Sequence, residues 1–131
     1  MKNVYACPHC QTVLNPSVKI LLVVRYKKHR GMILLSPQPG NFKFICDSDL
    51  RESLHHGALL SFSCPVCSKE LVSDQDDKFA ELSILTPGKK NRRVEFSREF
   101  GKEATFIIDG ENIATFGSDV DEYSGKNFFG S

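Results

Sequence analysis

Two stretches of this chain spell the same pattern 57 residues apart. Cys7-Pro8-His9-Cys10-Gln11-Thr12-Val13-Leu14 and Cys64-Pro65-Val66-Cys67-Ser68-Lys69-Glu70-Leu71 both read C-P-x-C-x-x-x-L. A C-x-x-C turn aims two sulfurs at one point, because the intervening residues fold the chain back and free backbone amides to donate to the thiolates. Two such turns placed face to face supply four thiolates at ~2.3 Å from a common centre, the closed tetrahedral arrangement of a structural metal site. Any fold open to the chain must therefore bring residues 7–14 against residues 64–71. The leucine four residues after each pair falls on the returning strand, where it packs beneath the site.

Over residues 4–14 and 61–72 the pattern resembles the zinc-ribbon group, with its rubredoxin-like pair of knuckles, each at the tip of a β-hairpin. The resemblance implies Zn²⁺ held by Cys7, Cys10, Cys64 and Cys67, with Fe as the alternative ion. It is specific for metal binding and nearly silent about biological role. Two departures follow. Many knuckles place Gly directly after the second cysteine, whereas Gln11 and Ser68 stand there in this chain. The 53 residues between the pairs also exceed the roughly 15–20 of a compact ribbon, so the gap must hold a sheet of its own. The metal then ties together the ends of a larger β domain. Loop closure grows costly only slowly with length, so the spacing is no obstacle.

Cys-Pro-His-Cys is also a thiol redox motif, in which a helix N-terminus lowers the pKa of the first thiol. That chemistry needs a helix straight after the strand, and Gln11 to Pro16 is too short and proline-broken to supply one. A thiol redox protein is thus a further alternative. Four cysteines leave no open coordination position for water, and neither a phosphate loop nor a nucleophile elbow is present. The expectation is a protein that is not an enzyme.

At 131 residues, 40% hydrophobic and 25% charged, the chain belongs to the globular class and is long enough to bury a core without disulfides. Nothing approaches the ~18 uninterrupted apolar residues of a membrane span, so no membrane partner is expected. Met1 to Cys10 lacks the apolar stretch of a signal peptide, which points to the reducing cytoplasm. Paired cysteines there are more often metal ligands than disulfides.

The pattern along the chain predicts a mainly β fold, an antiparallel sheet or sandwich carrying the two knuckles and at most one short helix. Strands are expected at 18–26, 32–35, 42–46, 59–63 and 69–72. A meander follows over 79–85, 93–96 and 105–108, with Asp109-Gly110 as a hairpin turn. The one short helix lies between Asp47 and Gly57, capped by Ser48 or Asp49, with Leu50 and Leu54 on one face. Residues 1–116 form a single domain. After Gly117 the composition shifts to Gly, Ser and Asp, and 117–131 is expected as a flexible tail with Phe128 and Phe129 loosely ordered. Docking of these rings on the domain or a partner is the alternative.

Charge is unevenly spread. Residues 1–45 carry seven Lys or Arg and no acid, residues 46–88 eight acids against three bases, and residues 89–131 eight acids against seven bases. Arg25, Lys27, Lys28 and Arg30 crown one hairpin turn, and Lys89, Lys90, Arg92 and Arg93 another. With Phe42 and Phe44 nearby, they suggest stacking and phosphate contacts to single-stranded nucleic acid. The overall pI of about 7.6 is low for such a domain. Cys46 reads as a small buried hydrophobe, and His55-His56 as two side chains pointing apart rather than a second metal site. By elimination, the expected role is that of a structural-zinc interaction or regulatory module whose partner is another protein.

Overall fold

The computed structural model describes residues 3–129 and is mainly β, with two antiparallel sheets and one α-helix. Chain order is β1 (Val4–Ala6), β2 (Ile20–Tyr26), β3 (His29–Leu35), β4 (Phe44–Cys46), α1 (Ser48–Ser53), β5 (Ser61–Ser63), β6 (Phe79–Leu85), β7 (Arg92–Ser97), β8 (Thr105–Asp109) and β9 (Asn112–Phe116). One sheet runs β1-β6-β7-β8-β9 and the other β4-β3-β2-β5.

Side-chain alternation decides which face each sheet buries. In β2, Ile20, Leu22 and Val24 are buried while Leu21, Val23 and Arg25 point out. In β6, Ala80, Leu82 and Ile84 join the same core, and β7 and β8 add Val94 and Ile107, which pair across the ladder. These inner faces meet as a sandwich.

Backbone hydrogen bonds outside the ladders join the two sheets. Leu14 N donates to Tyr5 O and Leu21 N to Leu14 O, both at 2.8 Å, linking β1 through Leu14 to β2. Elsewhere, Leu60 N donates to Arg98 O at 2.8 Å and Phe100 N to Ala58 O at 2.7 Å.

The expected strands occur with shifted ends. Strand 18–26 starts at Ile20, and Val18 is half exposed (51%) because the sandwich closes over Ile20 first. Strand 42–46 shortens to Phe44–Cys46, and 69–72 reduces to a single bridge, Ser63 with Glu70. The helix cap is Asp47, whose carboxylate accepts from Asp49 N at 3.1 Å, rather than Ser48 or Asp49. The helix stops at extended Leu54, before Gly57. Leu50 and Leu54 are buried on one face, as their spacing predicts.

Where composition suggests a frayed tail, residues 117–129 lie across the outer face of the five-stranded sheet. A 3-10 turn, Val120–Tyr123, and Phe128 cover Phe79, Phe106 and Ile108 in a second apolar cluster. Phe128 is buried, whereas Phe129 is 54% exposed. Under this cover Glu95, fully buried, lies 2.9 Å from Arg93 Nη1 and 2.8 Å from Lys126 Nζ. The ammonium sits 4.4 Å from the centre of the Phe79 ring and 4.8 Å from that of Phe128.

Candidate metal centre

Cys7 and Cys10 follow β1 of one sheet, while Cys64 and Cys67 follow β5 of the other. The four sulfurs lie within 4.8 Å of one another. Cys7 Sγ is 3.7 Å from Cys67 Sγ, and Cys10 Sγ is 3.7 Å from Cys64 Sγ. A tetrahedron with metal–sulfur bonds of ~2.3 Å has edges of about 3.8 Å. The spacing is thus that of a shared metal ion. Cysteine pairs joined as disulfides would stand near 2.05 Å.

The 57-residue repeat is carried into the backbone. Cys7 N donates to Thr12 O (3.0 Å) and Cys64 N to Lys69 O (3.1 Å); Gln11 N donates to Cys7 O (2.9 Å) and Ser68 N to Cys64 O (3.0 Å). Ala6 bridges Val13 just as Ser63 bridges Glu70, and Leu71 N reaches Phe62 O as Leu14 N reaches Tyr5 O, at 2.8 Å. Leu14 and Leu71 are both about 1% exposed, beneath the site as the repeat predicts.

Each turn aims amides at its first sulfur. Cys7 Sγ accepts from His9 N at 3.3 Å and Cys10 N at 3.5 Å, and Cys64 Sγ accepts from Val66 N at 3.4 Å and Cys67 N at 3.5 Å. Such donors favour thiolate over thiol. Gln11 (φ 66°) and Ser68 (φ 67°) take the left-handed conformation at the position where many knuckles use Gly. Both turns therefore need a left-handed residue at this position, a conformation that Gln and Ser adopt less readily than Gly.

The first sulfurs are buried, Cys67 is half-buried and Cys10 is exposed. Burial pushes the Cys7 thiol up to about 12, whereas Thr12 lowers Cys10 to about 6, its hydroxyl lying 3.2 Å from the sulfur. Thr12 was not singled out from sequence; a hydroxyl two residues beyond the second cysteine is the only signal it gives. After Gln11 the chain runs back to Ala6 through Val13, so no helix N-terminus faces Cys7.

Family models, curated proteins and solved structures were compared with the chain, and none matches.

The two basic clusters lie at opposite ends of the sandwich. Arg25 pairs with Ser61 and Leu59 bridges Glu99, placing the Lys27-Lys28 turn at the end where β6 begins. Lys89 and Lys90 lie in the β6–β7 turn at the far end, a seven-residue strand or roughly 20 Å away. Arg92 donates to Asn3 Oδ1 at 3.2 Å, and Arg93 turns to Glu81 and Glu95. Phe42 lies in a loop, and Phe44 packs edge-on against Phe100. His55 meets the Tyr26 hydroxyl at 2.8 Å while His56 packs on Phe100, so the two histidines diverge. Cys46 ends β4 half-buried, which raises its pKa. No helix among the described residues is long and apolar enough to cross a membrane.

Proposed function

We propose that Cys7, Cys10, Cys64 and Cys67 bind one Zn²⁺ as a structural clamp between the two sheets of a cytoplasmic interaction module. One observation carries this reading: each sheet contributes one cysteine pair, so a shared ion joins elements that few backbone bonds connect. The coordination shell is complete with four sulfurs, which suits a structural ion rather than one that activates water. Iron in the same ligand set is the alternative.

The partner-facing surface in this reading is the outer face of the four-stranded sheet. Register places Leu21, Leu34 and Ile45 in one row, and Val23 beside Met32 in the next. Met32 is 43% and Ile45 57% exposed. Arg25 and Arg30, paired across the ladder, border these rows. An apolar patch edged by arginines suits a protein surface that offers aliphatic groups and carboxylates. Nucleic acid is the second reading, favoured by Lys27 and Lys28 at the adjoining turn.

Substitution of Cys64 by Ser separates a structural from a redox role. A structural clamp predicts loss of the cooperative unfolding transition and aggregation; a redox protein would keep its fold and lose only thiol reactivity. For the nucleic-acid reading, binding must weaken steeply with salt and with Lys27, Lys28 and Arg30 changed to Glu.

A further inference from the structure

The outer face of the four-stranded sheet carries charge that its own residues do not balance. Register sets Arg30 of β3, Arg25 of β2 and Ser61 of β5 in one row across three strands. Side chains directly opposite on one face stand about 4.5–5.5 Å apart at Cβ, and like charges so placed repel. Among the described residues neither arginine forms an ion pair. Lys27 and Lys28, exposed in the turn that joins β2 to β3, add charge of the same sign.

This row borders a cleft. Arg25, Arg30, Ser61, Ser63 and Ser68 line a half-open space of about 360 Å³ beside the second knuckle. The acid in its lining, Glu70, is engaged: Oε2 accepts from the Ser61 hydroxyl at 2.7 Å and lies 3.5 Å from Arg98 Nη2. Arg98 is itself fixed, donating through Nε to Leu60 O at 2.7 Å. Cys64 is 1% exposed, and its sulfur accepts from the amides of Val66 and Cys67. The side-chain charge left unpaired along the cleft is that of two facing guanidinium groups, with serine hydroxyls around them.

Two facing guanidinium groups suit a doubly charged ligand with several acceptor oxygens, to which arginine binds through its planar fork. A phosphate monoester carries about −1.5 to −2 charges at pH 7 and three acceptor oxygens, whereas a carboxylate or a phosphodiester carries a single charge. The surroundings favour a peptide as its carrier. Beside the arginine row lie Val23 and Met32, and beyond them Leu21, Leu34 and Ile45. The rings of these strands, Tyr26, Phe44 and Phe62, pack on the core, so none stands on this face to stack a base. We propose that the face docks a phosphorylated protein segment, its phosphate on Arg25 and Arg30 and its flanking aliphatic side chains on the Val23–Met32 row. The proposal rests on the reading of this face as the partner surface and names the chemistry of the partner.

The test is an NMR titration of the metal-loaded full chain at pH 7.5, followed at backbone amides, with inorganic phosphate, dimethyl phosphate and acetate. Phosphate should shift Arg25, Arg30, Ser61 and Ser63 saturably, and the two monoanions should bind at least fivefold more weakly. Arg25→Gln and Arg30→Gln, both at exposed positions, should each weaken phosphate at least fivefold; Lys89→Gln, at the far end of the sandwich, should not. A short peptide with phosphoserine between leucines should bind at least tenfold more tightly than phosphate, as burial of the flanking side chains requires. Met32→Thr should remove most of that gain without weakening phosphate. No saturable phosphate binding, equal binding of acetate, or unchanged affinity in both arginine variants would overturn the phosphate site and leave the partner surface standing. A peptide bound no more tightly than phosphate would overturn the partner surface and the proposal with it. A 5′-phosphorylated oligonucleotide bound more tightly than the peptide would overturn the proposal in favour of nucleic acid.

Discussion

Gln11 and Ser68 are the residues at which the knuckles carry strain. Both hold φ near +66°, which costs an L-residue roughly 1–2 kcal/mol relative to Gly, partly offset by the chain freedom Gly must surrender. Ser68→Gly should therefore stabilise the metal-loaded protein by about 0.5–1 kcal/mol, read as a higher denaturant midpoint at unchanged slope. A second prediction concerns protons. Cys7 is raised to about 12 by burial and Cys10 lowered to about 6 by Thr12, so at neutral pH a metal must displace the Cys7 proton but finds Cys10 largely ionised. Stability contributed by the ion is present at high pH and lost as pH falls, because protons compete for the thiolates. Apparent zinc affinity, measured by competition with a chromophoric chelator, should fall from pH 8 to 7 and again from 7 to 6. Thr12→Val should weaken binding most at pH 6, where Cys10 loses its help.

At the scale of elements, the segment after β9 depends on one glycine and one lysine. Gly117 has φ +112°, and a Cβ there would lie 2.1 Å from Glu103 O and 2.8 Å from the Phe42 ring. Gly117→Ala should destabilise by more than about 1 kcal/mol and speed hydrogen exchange in residues 117–129. Removing Lys126 leaves Glu95 buried with Arg93 as its remaining close cation, and breaking a buried pair costs about 3 kcal/mol. Lys126→Ala should lower the unfolding free energy by that amount in a denaturant titration, whereas Lys126→Met should recover part of it by keeping the packing on Phe79 and Phe128. Little of this was legible beforehand. Val120, Tyr123 and Phe128 follow no helical or strand period, and their Gly, Ser and Asp neighbours are those of a loose tail. The opposite holds for β6, whose alternation marked Phe79 to Leu85 to the residue because every second side chain enters the core.

Across the whole molecule, the repeat was the most legible feature, since the backbone N–H bonds that shape one knuckle recur in the other at the same offset. The meander β6-β7-β8-β9 was legible from its turns, whereas the joining of β1 to β6 was not, because it spans a long interval that no local pattern encodes. Sequence charge placed the basic residues on two turns, and topology sets those turns at opposite ends of the sandwich. The central claim is that a single ion closes the sandwich through four sulfurs. The most direct measurement is native mass spectrometry of protein purified without chelator, beside thermal unfolding before and after metal removal. One zinc per chain is predicted, absent from the Cys64→Ser protein, with unfolding at a markedly lower temperature once the ion is removed. A chain that carries no metal and unfolds cooperatively at the same temperature after chelation would contradict it.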